Sequence, residues 1–154
     1  MKPLKSFFIC VFIFLTLIAF NACRTTSDSG KHSEQLKYLP KEVSNLYLGM
    51  KLDEFKKKKD MSKIDLDEGT YVTYAIEKYS GDNIIGIRYQ FDGDKLLYEF
   101  IIEYSPKTDI KKEFAVKFGE PNDGEEWNFD SKAGFNIKIW VYQNRLCIAD
   151  ARHF

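Results

Sequence analysis

The feature that most constrains this chain is a stretch of strict alternation built around a hairpin turn. Ile85, Ile87, Tyr89 and Phe91 alternate with Gly86, Arg88 and Gln90, the period of two that lines apolar side chains along one face of a strand. Asp92-Gly93-Asp94 then supplies a tight turn. The return run, Lys95 to Tyr104, sets Leu96, Tyr98, Phe100 and Ile102 on one face against Glu99 and Glu103 on the other. A lone hairpin is marginally stable in water, so a chain carrying this one needs further strands and a cover for the apolar face.

The flanking sequence provides both. Tyr71 to Tyr79 reads as a strand, and Gly81-Asp82-Asn83 turns it into the alternating run. Upstream, Leu48-Gly49-Met50 precedes a short helix over Leu52 to Lys59, with Leu52 and Phe55 on one side. Downstream, Pro106 ends the hairpin, and Thr108 or Asp109 caps a second helix whose Ile110, Phe114 and Phe118 recur every four residues. Gly119 and Pro121 stop it. Strands follow at about Glu125 to Phe129, Phe135 to Tyr142 and Arg145 to Arg152, the last two joined near Gln143-Asn144.

The order helix, three strands, helix, three strands suggests an internal duplication. Ile87-Arg88, Phe91, Lys95 and Leu96 match Ile137-Lys138, Val141, Arg145 and Leu146 at one constant offset. The expected fold class is therefore α+β: tandem helix-plus-three-strand repeats forming an antiparallel sheet, with two helices packed on one face. The expected domain spans 41–154.

The N-terminus reads as an export leader over 1–22. Lys2 and Lys5 precede an apolar run from Phe7 to Phe20, and Asn21-Ala22-Cys23 closes it. The run is short for a membrane-spanning helix. An ordinary secretory signal would prefer a small residue where Phe20 stands. Phe20-Asn21-Ala22-Cys23 resembles a relaxed lipobox, with cleavage between Ala22 and Cys23 and lipidation of the Cys23 thiol. Each buried methylene adds about 0.8 kcal/mol, so two or three acyl chains would anchor the protein stably to a membrane. The polar residues that follow make 23–40 a flexible tether. Arg24 stands where some lipoproteins retained at the inner membrane carry Asp, which favours the outer membrane.

Charge and residue types exclude several functions. Lys2 and Lys5 leave with the leader, so 23 basic residues become 21 against 23 acidic ones; nucleic-acid binding would need a basic excess. Of three cysteines, Cys10 lies in the leader and Cys23 accepts lipid. Cys147 is left without a disulfide partner and reads as a structural thiol. His32 falls in the tether and His153 at the far end of the chain, so neither is placed as a base or metal ligand. Asp65, Asp67 and Glu68, Asp92 with Asp94, and Glu125 with Glu126 read as solvated turns or surface charge, lacking the ligand pattern of a calcium loop. Lys56 to Lys59 read as a solvated helix face, with contact to anionic headgroups the alternative. No phosphate-binding glycine loop or serine-nucleophile motif is present. The expectation is no enzyme, no catalytic residues, no metal and no cofactor.

One strand offers a binding surface. Ile137, Ile139 and Val141 share one face of the 136–142 run, and Lys138, Trp140 and Tyr142 share the other. With helices on the isoleucine face, Trp140 and Tyr142 would be an exposed aromatic patch of the kind that protein-binding hot spots use.

Leu48-Gly49-Met50-Lys51-Leu52-Asp53-Glu54-Phe55 resembles the SmpA/OmlA (BamE-like) lipoprotein families and the wider group with the β-lactamase-inhibitor-protein-like fold. Phe118-Gly119-Glu120-Pro121 resembles their Gly-x-Pro at a helix end, and the lipobox and polar tether also fit. Lys51 stands where those families place a capping hydroxyl. The resemblance implies a binding or scaffolding role at the cell envelope. The expected function is a membrane-anchored, non-catalytic module that binds another envelope protein. The alternative is a surface-exposed binder of a ligand or host factor, and a small envelope enzyme ranks last.

Overall fold

The computed structural model describes residue 30 and residues 32–81, 83–130 and 136–154. The leader, Ala22, Cys23 and the tether as far as residue 29 lie outside the described residues. The alternating run forms the centre of the molecule. Its two halves are β3 (Ile84–Phe91) and β4 (Leu97–Tyr104), paired antiparallel. Before them come α1 (Leu52–Lys58), β1 (Ile64–Glu68) and β2 (Thr73–Lys78). After them come α2 (Ile110–Phe118), β5 (Glu126–Asp130), β6 (Asn136–Tyr142) and β7 (Arg145–Asp150). Among the described residues, the seven strands join one antiparallel sheet in the order β1-β2-β3-β4-β7-β6-β5.

This architecture overturns the expected α+β class of tandem helix-plus-three-strand repeats. Strands dominate, the helices are short, and the first half carries four strands against three in the second. The unforeseen strand is β1. Its Asp65, Asp67 and Glu68 have the composition of a turn, but Ile64 and Leu66 alternate with them and lie in register with Glu77 and Ala75 of β2. At a sheet edge, charges facing solvent are tolerated and discourage pairing with another chain.

Residues directly opposite in neighbouring strands share a face, so the register defines the core. One row runs Leu66, Ala75, Tyr89, Phe100, Ile148, Ile139, Trp127 across the whole sheet. Onto this inner face α1 places Phe55, 4.8 Å from the Tyr89 ring and 5.2 Å from that of Phe91. The α2 helix places Phe118 5.3 Å from Phe129. Asp109 caps α2, its Oδ1 accepting from the Lys112 N–H at 3.1 Å. Gly119 ends the helix at φ 79, a conformation that disfavours any side chain. The released Gly119 carbonyl accepts from the Trp127 indole at 2.9 Å, tying the helix end to β5.

Two irregularities change which face side chains take. Register shifts fall between Ile84 and Gly86 and between Gln90 and Phe91. The first leaves Ile84 buried and Ile85 42% exposed. The second carries Leu97 into the core, so that Tyr98, expected beside Phe100, sits on the opposite face, where its hydroxyl donates to Gln90 Oε1 at 3.1 Å. A single extra residue in one strand suffices for this.

The packed structure also begins before residue 41. Residues 32–35 form a helical turn, and the buried Gln35 amide pairs with Leu48 as a strand would: Nε2 donates to the Leu48 carbonyl at 3.2 Å, and Oε1 accepts from the Leu48 N–H at 2.8 Å. Tyr38 stacks on Phe129 at 4.4 Å, and Leu39 is buried. The polar composition that reads as tether conceals these few anchoring residues. Among the described residues no helix is long and apolar enough to cross a membrane.

Candidate binding face

The face of the sheet turned away from α1 and α2 is built from the opposite parity of the same strands. Register places Arg88 (β3), Ile101 (β4), Cys147 (β7) and Trp140 (β6) in one row, and Glu103, Arg145 and Tyr142 in the next. Together they line a trough of about 190 Å³. Arg88 and Trp140 stand at its two ends, three strand spacings or about 14 Å apart, and Ile101 and Cys147 form the floor between them. Tyr142 is 58% exposed, and Trp140 is half-buried.

A third row, Gln90, Glu99, Ala149 and Lys138, borders the trough on its other side. Here the turn Ala151–His153 and Phe154 fold back over the sheet. The His153 ring lies 5.1 Å from Tyr98, and the Phe154 ring meets Trp140 edge-on at 5.9 Å. Beneath that span Glu99 and Ala149 are buried although they face away from the helices. Asp150 holds the turn, accepting from the Arg152 N–H at 3.1 Å and from its guanidinium Nε at 2.7 Å.

The charges on this face are unevenly matched. Lys138 pairs with Glu126 at 2.5 Å, and Arg145 lies 3.7 Å from Glu103. The exposed Arg88 guanidinium sits 5.9 Å from the centre of the Tyr74 ring, and among the described residues it has no carboxylate within ion-pair distance. Glu99 is held differently. Burial pushes its carboxyl up to about 7, against the opposing pull of a hydrogen bond from Gln90 and the charge of Arg88. Burial likewise pushes the Cys147 thiol up to about 12, which keeps it protonated and a poor nucleophile at neutral pH.

The remaining sequence candidates are dispersed. Lys56 pairs with Glu68 at 2.6 Å, Lys58 with Glu54 at 3.4 Å and Lys59 with Glu77 at 2.9 Å, so most of the lysine run is engaged within the domain. His32 packs 4.5 Å from the Tyr47 ring, and burial, then the charge of Lys58, lower its pKa. His153 Nε2 lies 3.8 Å from Asp92. Among the described residues no three His, Cys, Asp or Glu side chains converge to hold a metal.

Sequence reasoning singled out Lys138, Trp140 and Tyr142, and the structure sets all three on the face opposite the helices. It missed Arg88, Glu99, Ile101, Glu103, Arg145 and Cys147 as members of the same surface. The signal for them was the polar parity of the two hairpins, but assembling it required knowing that β4 pairs with β7. No family model, curated protein or solved structure matches the chain.

Proposed function

We propose that this protein is a non-catalytic binding module of the bacterial cell envelope, held to a membrane by lipid on Cys23, with the outer membrane preferred. It engages another envelope protein through the face that carries Trp140 and Tyr142. The observation that carries the binding role is the trough on the uncovered half of the sheet. It combines two aromatic rings, an apolar floor and two arginines, Arg88 and Arg145, in the way protein-binding surfaces combine anchoring aromatics with arginine. The lipobox-like Phe20-Asn21-Ala22-Cys23 carries the anchor.

The kinship with SmpA/OmlA (BamE-like) lipoproteins belongs to the same proposal. What supports it is the sequence likeness over Leu48 to Phe55 and Phe118 to Pro121.

Two experiments test the reading. The intact mass of the mature protein is expected to match a chain beginning at Cys23 with added acyl groups, and an unmodified chain would refute the anchor. Affinity capture from envelope extracts, with wild type beside a Trp140→Ala, Tyr142→Ala double variant, is expected to lose partner recovery in the variant. Equal recovery by both would end the assignment of this face.

A further inference from the structure

The trough holds more information than its aromatic content. Its volume of about 190 Å³ is below the roughly 300–1,000 Å³ of pockets that enclose small-molecule ligands. It lies along the sheet surface rather than within the core, so it suits one large side chain of a longer segment resting on the sheet.

The charge on its walls specifies what should stand beside that side chain. Two guanidinium groups, Arg88 and Arg145, line the trough with a single carboxylate, Glu103. The Arg145–Glu103 contact is loose, 3.7 Å between side chains that are 45% and 38% exposed. Asp65 shares the row of Arg88 but stands two strands away on the β1 edge, about 10 Å off and outside the trough, and the nearer carboxylates are engaged. Glu126 is taken up by Lys138. Glu99 is buried under the 151–154 turn and receives its hydrogen bond from Gln90. Asp150 is held by Arg152.

We infer that the segment docking in the trough is an acidic, apolar stretch of a partner protein, with a carboxylate set toward Arg88 and Arg145 and a neighbouring apolar side chain on the Ile101–Cys147 floor against Trp140. The inference rests on the proposed binding function of this face and specifies the chemistry of what it binds. Guanidinium groups favour carboxylates through paired, charge-assisted hydrogen bonds. The exposed Phe154, edge-on to Trp140, extends the apolar wall along which such a segment would lie.

The test is selection from a random heptapeptide display library on the full chain held in detergent micelles. The same selection is run on Arg88→Gln and on the Trp140→Ala, Tyr142→Ala double variant. Recovered peptides are expected to be enriched in Asp or Glu next to an aromatic or aliphatic residue, and to be lost on the double variant. One such peptide, resynthesised, is expected to bind Arg88→Gln about tenfold more weakly, the loss of one charge-assisted contact. Arg88→Lys should recover part of the difference, and added salt should weaken wild-type binding.

Selection of peptides without acidic enrichment, or equal affinity for Arg88→Gln, would overturn the acidic partner while leaving the docking face intact. No enrichment over the starting library, or equal recovery on the double variant, would overturn the docking face as well. Self-association of the purified chain that the double variant abolishes would replace the partner protein with a second copy.

Discussion

Two glutamates on opposite faces of one sheet show how differently the faces are built. Glu77 belongs to the helix-covered side. Burial is the largest single influence on it and opposes ionisation, but the Tyr89 hydroxyl at 2.6 Å and the Lys59 ammonium at 2.9 Å outweigh that and hold its carboxyl below the usual range. Glu99 belongs to the open side, and burial there wins, because Gln90 offers a neutral donor and Arg88 acts only as a nearby charge. The inner face thus satisfies the charge of Glu77, whereas the outer face keeps a poorly compensated carboxyl under a short turn and, among the described residues, leaves the Arg88 guanidinium without a carboxylate at ion-pair distance. A fold that needs only stability has no reason to keep the second arrangement, and this asymmetry directs attention to the outer face as a binding surface.

The comparison can be broken by mutation. Phe55→Ala removes a fully buried ring from the inner face and is expected to cost about 3–5 kcal/mol in chemical denaturation. A cost below 1 kcal/mol would mean that the inner face is not the core of stability. Lys59→Met, which strips Glu77 of its ionic partner, should cost about 2 kcal/mol near neutral pH. Because the carboxyl of Glu77 is depressed, that loss should fade as pH falls through its folded pKa. A cost unchanged at low pH would break the link between the two groups.

The opposite sign applies across the sheet. The raised carboxyl of Glu99 favours the folded state while protonated, so its contribution is complete below the ordinary carboxylate pKa and is lost as pH rises through about 7. Glu99→Gln should therefore stabilise the protein by on the order of 1 kcal/mol at about pH 8 and change little at about pH 5. Denaturation curves at the two pH values check it, and equal effects at both would sink it. The smallest change is expected from Tyr142→Ala, an exposed ring whose loss should leave stability within about 0.5 kcal/mol while impairing capture of a partner. Destabilisation well beyond that would make Tyr142 part of the packing rather than of a docking surface.

Much of the inner face was readable from residues alone. The parity of Ile87, Tyr89 and Phe91, the four-residue recurrence of Ile110, Phe114 and Phe118, and the Asp109 and Gly119 helix ends all come from local chemistry and stand in the structure. Where local composition and tertiary demand disagree, the reading failed. Asp65 and Asp67 made β1 look like a turn, because an edge strand exposes one parity and can be charged there without cost. Gln35 and Tyr38 were absorbed into an apparent tether, because two anchoring side chains do not alter a segment's composition. Tyr98 changed faces at a bulge that no periodicity announces. Arg88 is far in the chain from Trp140 and Cys147, and only the pairing of β4 with β7 sets the three in one row.

The sequence by itself therefore determined the hairpins, the two short helices and their apolar sides, since these follow from spacing and from the backbone preferences of glycine, proline and capping residues. The tertiary structure alone decided the strand order, the extra edge strand, the bulged registers and the turn that covers Glu99. Those depend on contacts between residues remote in sequence, which local propensity does not encode. The trough belongs to that second group, because its floor, its Arg88 end and its Trp140 end come from strands that meet only when the sheet is complete.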